Sequence, residues 1–312
     1  MDKTKLGGWF MFILVLYHIA LAGVYGYLYH FGPIFFQRLL ESNWFIIVNQ
    51  TVGFILPLAL FLFATKEDAK FIFKPRPLGK TNIVLLAAVS LCMQPVMMLL
   101  SAFSSLFFAN NIADVTAGMT SMPLPATLLI IAVTPAVCEE IVFRGYILRA
   151  YNRLGIFKAA LISGLFFAFI HLDPQQFLYT FMMGALLAYL VYYTRSVYAG
   201  VLVHFLSNAL QVVLVYILPP QESAPAVRAE VLQTVLFLAV ASAIFLPVLF
   251  ILLRVFLSHN RSRNASRDIK TILAADQETF LPPQKHSWPA DVSFWLVTAV
   301  YAAYIFFMFV KN

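Results

Sequence analysis

Glu139 and Glu140 stand side by side in an apolar run, and Arg144 follows four residues after the second glutamate. An ionised carboxylate near the centre of a bilayer costs at least about 2.5–3.5 kcal/mol on insertion scales, so such residues need a partner or a water-filled cavity. Neighbours on a helix point about 100° apart, which gives the two glutamates different surroundings. Glu140 and Arg144, at i and i+4, share a helix face and can pair. Glu139 then projects elsewhere, with no cation in its own helix. A carboxylate so placed, away from bulk water, is suited to take a proton from a water molecule.

Polar side chains recur in two later runs: His171, four residues after Phe167, and His204, followed four residues on by Asn208. Their depths can be counted from basic residues at 1.5 Å of helix rise per residue. Glu139 lies about 15 Å from Arg149, His171 about 20 Å from Lys158 and His204 about 13 Å from Arg195. Scattered polar residues would have little reason to agree in depth. His204 and Asn208 present a ring nitrogen and an amide on one face, as donors to a developing oxyanion would be arranged. His171, from a third helix, would orient the same water as Glu139. Glu139, His171 and His204 would also serve as a His₂Glu zinc set with one open position. The compact His-Glu-x-x-His motif is absent, however, and a metal would commit Glu139 as a ligand. No cofactor is favoured, and zinc stands as the alternative.

The elements that position these residues are membrane helices. Hydrophobic residues make up 62% of the chain and charged residues 11%, against about 25% charged in soluble domains. Mean hydropathy is +0.84. The fold class read from this is all-α, a polytopic membrane bundle of eight to nine helices. Runs long enough to approach a span of about 20 residues cover 8–28, 44–65, 82–108, 124–149, 157–172, 177–193, 198–218, 231–253 and 293–310. The first is read as an uncleaved helix, although Ala20-Leu21-Ala22 faintly resembles a cleavage site. The organisation is one integral unit: N-terminal helices over 1–123, site-bearing helices over 124–216, and C-terminal helices over 217–312 with a basic loop. The polar stretch 258–290 reads as a surface linker.

Net charge is +7, and its distribution points to topology rather than nucleic acid. Lys3 and Lys5, the group Lys66 to Lys80, then Arg149, Arg153, Lys158 and Arg195, and the group Arg254 to Lys270 fall in alternate connections. The connections between them carry Arg38, none, and Arg228. This asymmetry places the N-terminus in the cytoplasm. Cys92 and Cys138 form no disulfide framework and read as core residues. His18 reads likewise as a core histidine. Asn49, Gln50, Gln94 and Gln211 read as interhelical hydrogen bonders, and Asp173-Pro174 as the end of a helix.

In order, on separate membrane helices, Glu139-Glu140-x-x-x-Arg144, Phe167-x-x-x-His171 and His204-x-x-x-Asn208 resemble the CPBP family. That family comprises the prenylated-CAAX-processing proteases and the bacteriocin-processing or immunity proteins. The match runs roughly from Leu124 to Tyr216. Each motif is weak alone, and the three in order are specific. The resemblance implies an intramembrane endopeptidase with Glu139, His171, His204 and Asn208 catalytic and Glu140, Arg144 and Phe167 supporting. It implies a membrane-embedded or lipidated peptide substrate, often cut beside a lipidated cysteine, and a bacterial plasma membrane. Two rivals remain at this stage. One is an immunity or binding protein without turnover. The other is an ion-coupled transporter using the same glutamates, although no inverted repeat of the kind common in transporters is present.

Overall fold

Backbone in a bilayer must satisfy its polar groups internally, so long apolar runs become helices. The computed structural model describes residues 3–67, 76–110, 118–218, 228–272 and 291–311. Among these, nine long helices form: α1 Lys3–Phe31, α2 Phe45–Thr65, α3 Lys80–Ser104, α4 Leu124–Leu154, α5 Ile156–Ile170, α6 Phe177–Thr194, α7 Val197–Ile217, α8 Arg228–Ile272 and α9 Val292–Lys311. Seven are long and apolar enough to cross a membrane, while α5 and the apolar part of α9 are shorter. The protein is therefore an integral membrane helix bundle, as its composition requires. One buried core takes side chains from all nine, among them Phe10, Leu58, Leu86, Val142, Ile162, Leu187, Val203, Phe256 and Val297.

One expectation is corrected. The supposed linker 258–290 begins as helix, because α8 continues to Ile272. The stretch from 258 to 272 contains neither Gly nor Pro, and tertiary bonds hold it. Asn260 exchanges two hydrogen bonds with Asn82 of α3, at 3.0 and 2.8 Å. Arg263 donates to the carbonyls of Leu78 and Pro77, and Asn264 to that of Tyr193. Residues 273–290 lie outside the described residues, as do Lys70 and Lys74.

These bonds also gather the basic connections. Ser196 donates to the Arg76 carbonyl and Thr4 to the Ala150 carbonyl, and Arg149 and Arg76 lie within electrostatic range of each other. Connections far apart in sequence thus meet at one end of the bundle. From that end the chain turns sharply into α5 at Gly155, whose φ of +81° suits a residue without a Cβ.

Fifteen residues give α5 a length of about 22 Å, short of the roughly 30 Å hydrocarbon core. Its connection to α6, residues 171–176, begins before a full span is complete, and its polar groups are satisfied within the bundle. Asp173 does much of this: its carboxylate accepts the Gln175 backbone N–H at 2.9 Å and the Gln176 amide at 3.0 Å. Tyr179 donates to Gln176 Oε1, and the Gln175 amide donates to Ser101 and Ser105 of the α3 end. Helix α5 ends at Ile170, ahead of Asp173-Pro174, as the proline requires.

Helices α5 and α6 cross closely at Gly164 and Gly184. A Cβ on Gly184 would lie 2.9 Å from Gly164 Cα and 3.0 Å from Phe167 Cβ. Small residues permit such backbone approach in membrane bundles. Here the approach brings the Gly184 carbonyl within reach of α4.

Candidate active site

Helix α4 carries the first motif and is not a regular helix. It widens into π-helical turns over Leu128–Val133 and Ile141–Ile147, a distortion frequent at functional sites. Pro135 supplies a local reason for the first. Without an N–H it cannot bond the carbonyl four residues back, that of Ile131. Asn208 of α7 fills the gap: its amide donates to the Ile131 carbonyl at 3.1 Å. The freed carbonyl and the Asn208 amide thus tie α7 to α4 directly above the glutamates.

Glu140 and Arg144 are wholly buried and joined, Nη1 to Oε1, at 2.6 Å. The other arm of the guanidinium, Nη2, donates to the Gly184 carbonyl at 2.9 Å, and its centre lies 4.7 Å over the Phe167 ring. The pair read from the spacing is present, and it does more than pair. Glu140 Oε1 also receives Nδ1 of His204, at 3.1 Å. A carboxylate can only accept here, so the Nδ1 hydrogen of His204 is committed to Glu140. That turns Nε2 toward Glu139. Gly200, one turn before His204, makes this arrangement possible, since a Cβ there would collide with Glu140 Oε2.

Glu139 has the opposite surroundings. It is buried, with Oε1 accepting from the Gln50 amide of α2 at 3.1 Å. Its Oε2 lies 4.0 Å from His204 Nε2 and makes no hydrogen bond to another described residue. A separation of 4.0 Å is too long for a direct bond but lets one small molecule touch both atoms. Spacing alone indicated that the two glutamates differ, and the difference lies in their partners: a cation for Glu140, a neutral amide for Glu139.

Phe167 forms the floor. Its ring packs edge-on against His204 at 5.8 Å, His171 at 4.9 Å and Phe143 at 5.1 Å between centroids. His171 sits at the end of α5 with Nδ1 2.6 Å from the Phe167 carbonyl. Thus Glu139, Glu140, Arg144, Phe167 and His204 form one contact group. His171 joins it through the Phe167 ring, and Asn208 touches the α4 backbone.

The zinc reading can be tested on these positions. Among the described residues, no three His, Cys, Asp or Glu side chains stand so as to hold a metal ion. His204 turns Nδ1 to Glu140 and His171 turns Nδ1 to a carbonyl, which leaves each ring its Nε2. Glu139, His171 and His204 are not gathered as a three-ligand set in this arrangement.

Other polar residues fall as their context suggests. Gln211 donates to Gln94, bridging α7 and α3 at 3.1 Å. His18 bonds the Leu14 carbonyl and packs on Phe54. Cys92 and Cys138 are free thiols on different helices. Gln50 is the residue that sequence reasoning placed too modestly. Its only signal was polarity inside an apolar run, and its partner is 89 residues away.

The buried pair gives a prediction. Glu140→Gln leaves the Arg144 guanidinium buried without its counter-charge, at a cost typically of about 3–5 kcal/mol. It also weakens the hold on the His204 ring. The expected outcome is a lowered thermal midpoint in detergent together with lost activity, whereas an inactive variant of unchanged stability would show that the pair serves chemistry alone.

With this geometry in view, residues 121–210 match the family described as type II CAAX prenyl endopeptidase Rce1-like. The chain is also 28% identical over 92 residues to YdiL of Bacillus subtilis (strain 168), whose name describes it as a candidate membrane peptidase. That stretch is 29% of this chain and 38% of YdiL, so the chain spans well under half the length of the curated relative it matches. No solved structure matches the chain closely enough to carry a comparison. The matched residues are those that bear the Glu139–His204 group, and over this segment the chain is similar to the CAAX-protease (CPBP) family.

Proposed function

We propose that the protein is an intramembrane endopeptidase that hydrolyses a peptide bond in a lipidated or apolar peptide, using water activated by Glu139. The observation that carries this reading is the pair of facing acceptors, Glu139 Oε2 and His204 Nε2, 4.0 Å apart in a buried group. A water seated against both donates one hydrogen to the carboxylate and the other to the ring. Glu139 takes its proton as the water oxygen bonds to the scissile carbonyl carbon. The carbonyl oxygen becomes an oxyanion. The C–N bond then breaks, and the proton held on Glu139 passes to the departing amine nitrogen.

His204 takes a different part here from the one its spacing with Asn208 suggested. With its Nδ1 hydrogen given to Glu140, the neutral ring offers a lone pair at Nε2 and suits the water rather than the oxyanion. Asn208 keeps one amide hydrogen beyond that spent on Ile131, and this hydrogen is its means of receiving an oxyanion. His171 completes the wall beside Phe167. The substrate class follows from the setting: the group lies within the bundle, so its substrate is membrane-embedded or carries a lipid. The family description names a prenyl endopeptidase, which supports a lipidated C-terminal peptide as the first substrate to try.

The gathered basic end supports a cytoplasmic face for the ends of α2, α4 and α6, in a bacterial plasma membrane. In a background lacking Cys92 and Cys138, a cysteine replacing Lys66 should label from the cytoplasmic side. One replacing Ser121 should label from the opposite side, and a swap would reverse the assignment.

Glu139→Gln should abolish cleavage of a prenylated peptide by purified protein while the variant still accumulates in the membrane, since Gln keeps size and polarity but cannot take the proton. Near-normal turnover would remove Glu139 from the reaction. Stoichiometric zinc in active protein, lost in both His171→Ala and His204→Ala, would replace the metal-free mechanism.

Asn208→Ala separates its two tasks. If the amide meets the oxyanion, kcat should fall about 10²–10³-fold with KM little changed. A variant with a lowered thermal midpoint and kcat within tenfold of wild type would make Asn208 a clamp on Ile131 only.

A further inference from the structure

The family match begins at residue 121, yet one residue far upstream of it touches the reactive carboxylate. Gln50 of α2 donates from Nε2 to Glu139 Oε1 at 3.1 Å. The orientation of this amide is fixed by chemistry, since a carboxylate cannot donate to Gln50 Oε1. That oxygen is buried and makes no hydrogen bond to another described residue. We infer that Gln50 is a positioning residue that holds one oxygen of Glu139 so that the other faces His204 and the water. The inference rests on the endopeptidase reading and extends the site to a helix that the comparisons leave unassigned.

Three arguments converge on this role. A free glutamate side chain rotates about its terminal bond, which interchanges its two oxygens. A single donor on Oε1 stops that interchange and leaves Oε2 as the oxygen 4.0 Å from His204 Nε2. Second, the donor is neutral. Glu140, a residue away, is held by the Arg144 guanidinium, and a cation of that kind on Glu139 would neutralise the base. An amide fixes geometry without taking away the charge that accepts the proton. Third, the residue is held in place by its own helix. Phe54, one turn beyond Gln50, packs on Phe143 of α4 at 6.3 Å and on His18 of α1 at 5.0 Å. This contact fixes α2 against the helix that carries Glu139.

The test uses full-length protein in detergent or nanodiscs with a prenylated peptide. Gln50→Met keeps length and volume but cannot donate, and Gln50→Asn keeps the amide but shortens its reach by one methylene. Both should lower kcat roughly ten- to hundredfold with KM within about twofold of wild type, because the bond orients the base and does not bind substrate. Unfolding of Gln50→Met, Glu139→Gln and the double variant should be non-additive, a contact readout that needs no turnover.

Wild-type kcat in both Gln50 variants would overturn the inference while leaving the proposed function standing, even if unfolding showed the contact. A raised KM at unchanged kcat would overturn it too, by making Gln50 a substrate contact. So would activity lost only in proportion to folded protein. If wild-type protein cleaves no lipidated or apolar peptide, the endopeptidase reading fails and this inference falls with it.

Discussion

A guanidinium and a carboxylate buried together in a membrane bundle cannot be left half satisfied, and the rest of the site is arranged around that demand. Removing each charge from water costs several kcal/mol, so every partner of Arg144 and Glu140 matters. Arg144 spends one arm on Glu140 and the other on the Gly184 carbonyl. Reaching that carbonyl requires α5 and α6 to cross at Gly164 and Gly184, where a Cβ would not fit. Glu140 takes His204 as well, and the approach requires Gly200. Three glycines on three helices are thus explained by one ion pair.

The same pair makes Glu139 different. Adjacent residues on a helix face different neighbours, and here the cation is consumed by Glu140. Glu139 is left with an amide on one oxygen and a histidine nitrogen facing the other. The histidine connects the two carboxylates: one ring nitrogen is held by Glu140, and the other faces Glu139. Hydrogen-bond direction here runs from Arg144 and His204 to Glu140, which leaves Nε2 of His204 facing Glu139.

Irregular backbone does the remaining positioning. Pro135 and the wide turns of α4 free a carbonyl that Asn208 caps. The short α5 leads into α6 through a turn stabilised by Asp173, Gln175 and Gln176. Its end carries His171 against the Phe167 ring, which Arg144 and His204 also contact. Asp173 in this position is a structural acid that satisfies a buried turn.

Local chemistry in the chain determined a good deal. Apolar run length set the nine long helices of the described residues, because lipid leaves the backbone no other solution. The spacing of Glu140 and Arg144 set their pair, since i and i+4 share a face whatever the surroundings. Three ordered motifs gave the resemblance to a family. The extension of α8 was missed because polarity resembles a linker, and only Asn82 and the carbonyls of Pro77, Leu78 and Tyr193 hold it as helix. What tertiary structure alone decided is which side chain meets which across helices. His204 goes to Glu140, Asn208 goes to the Ile131 carbonyl, and Gln50 reaches Glu139 from 89 residues away. Helix periodicity fixes direction within one helix, whereas the rotation and offset between helices come from packing, and hydrogen bonds across them follow from that.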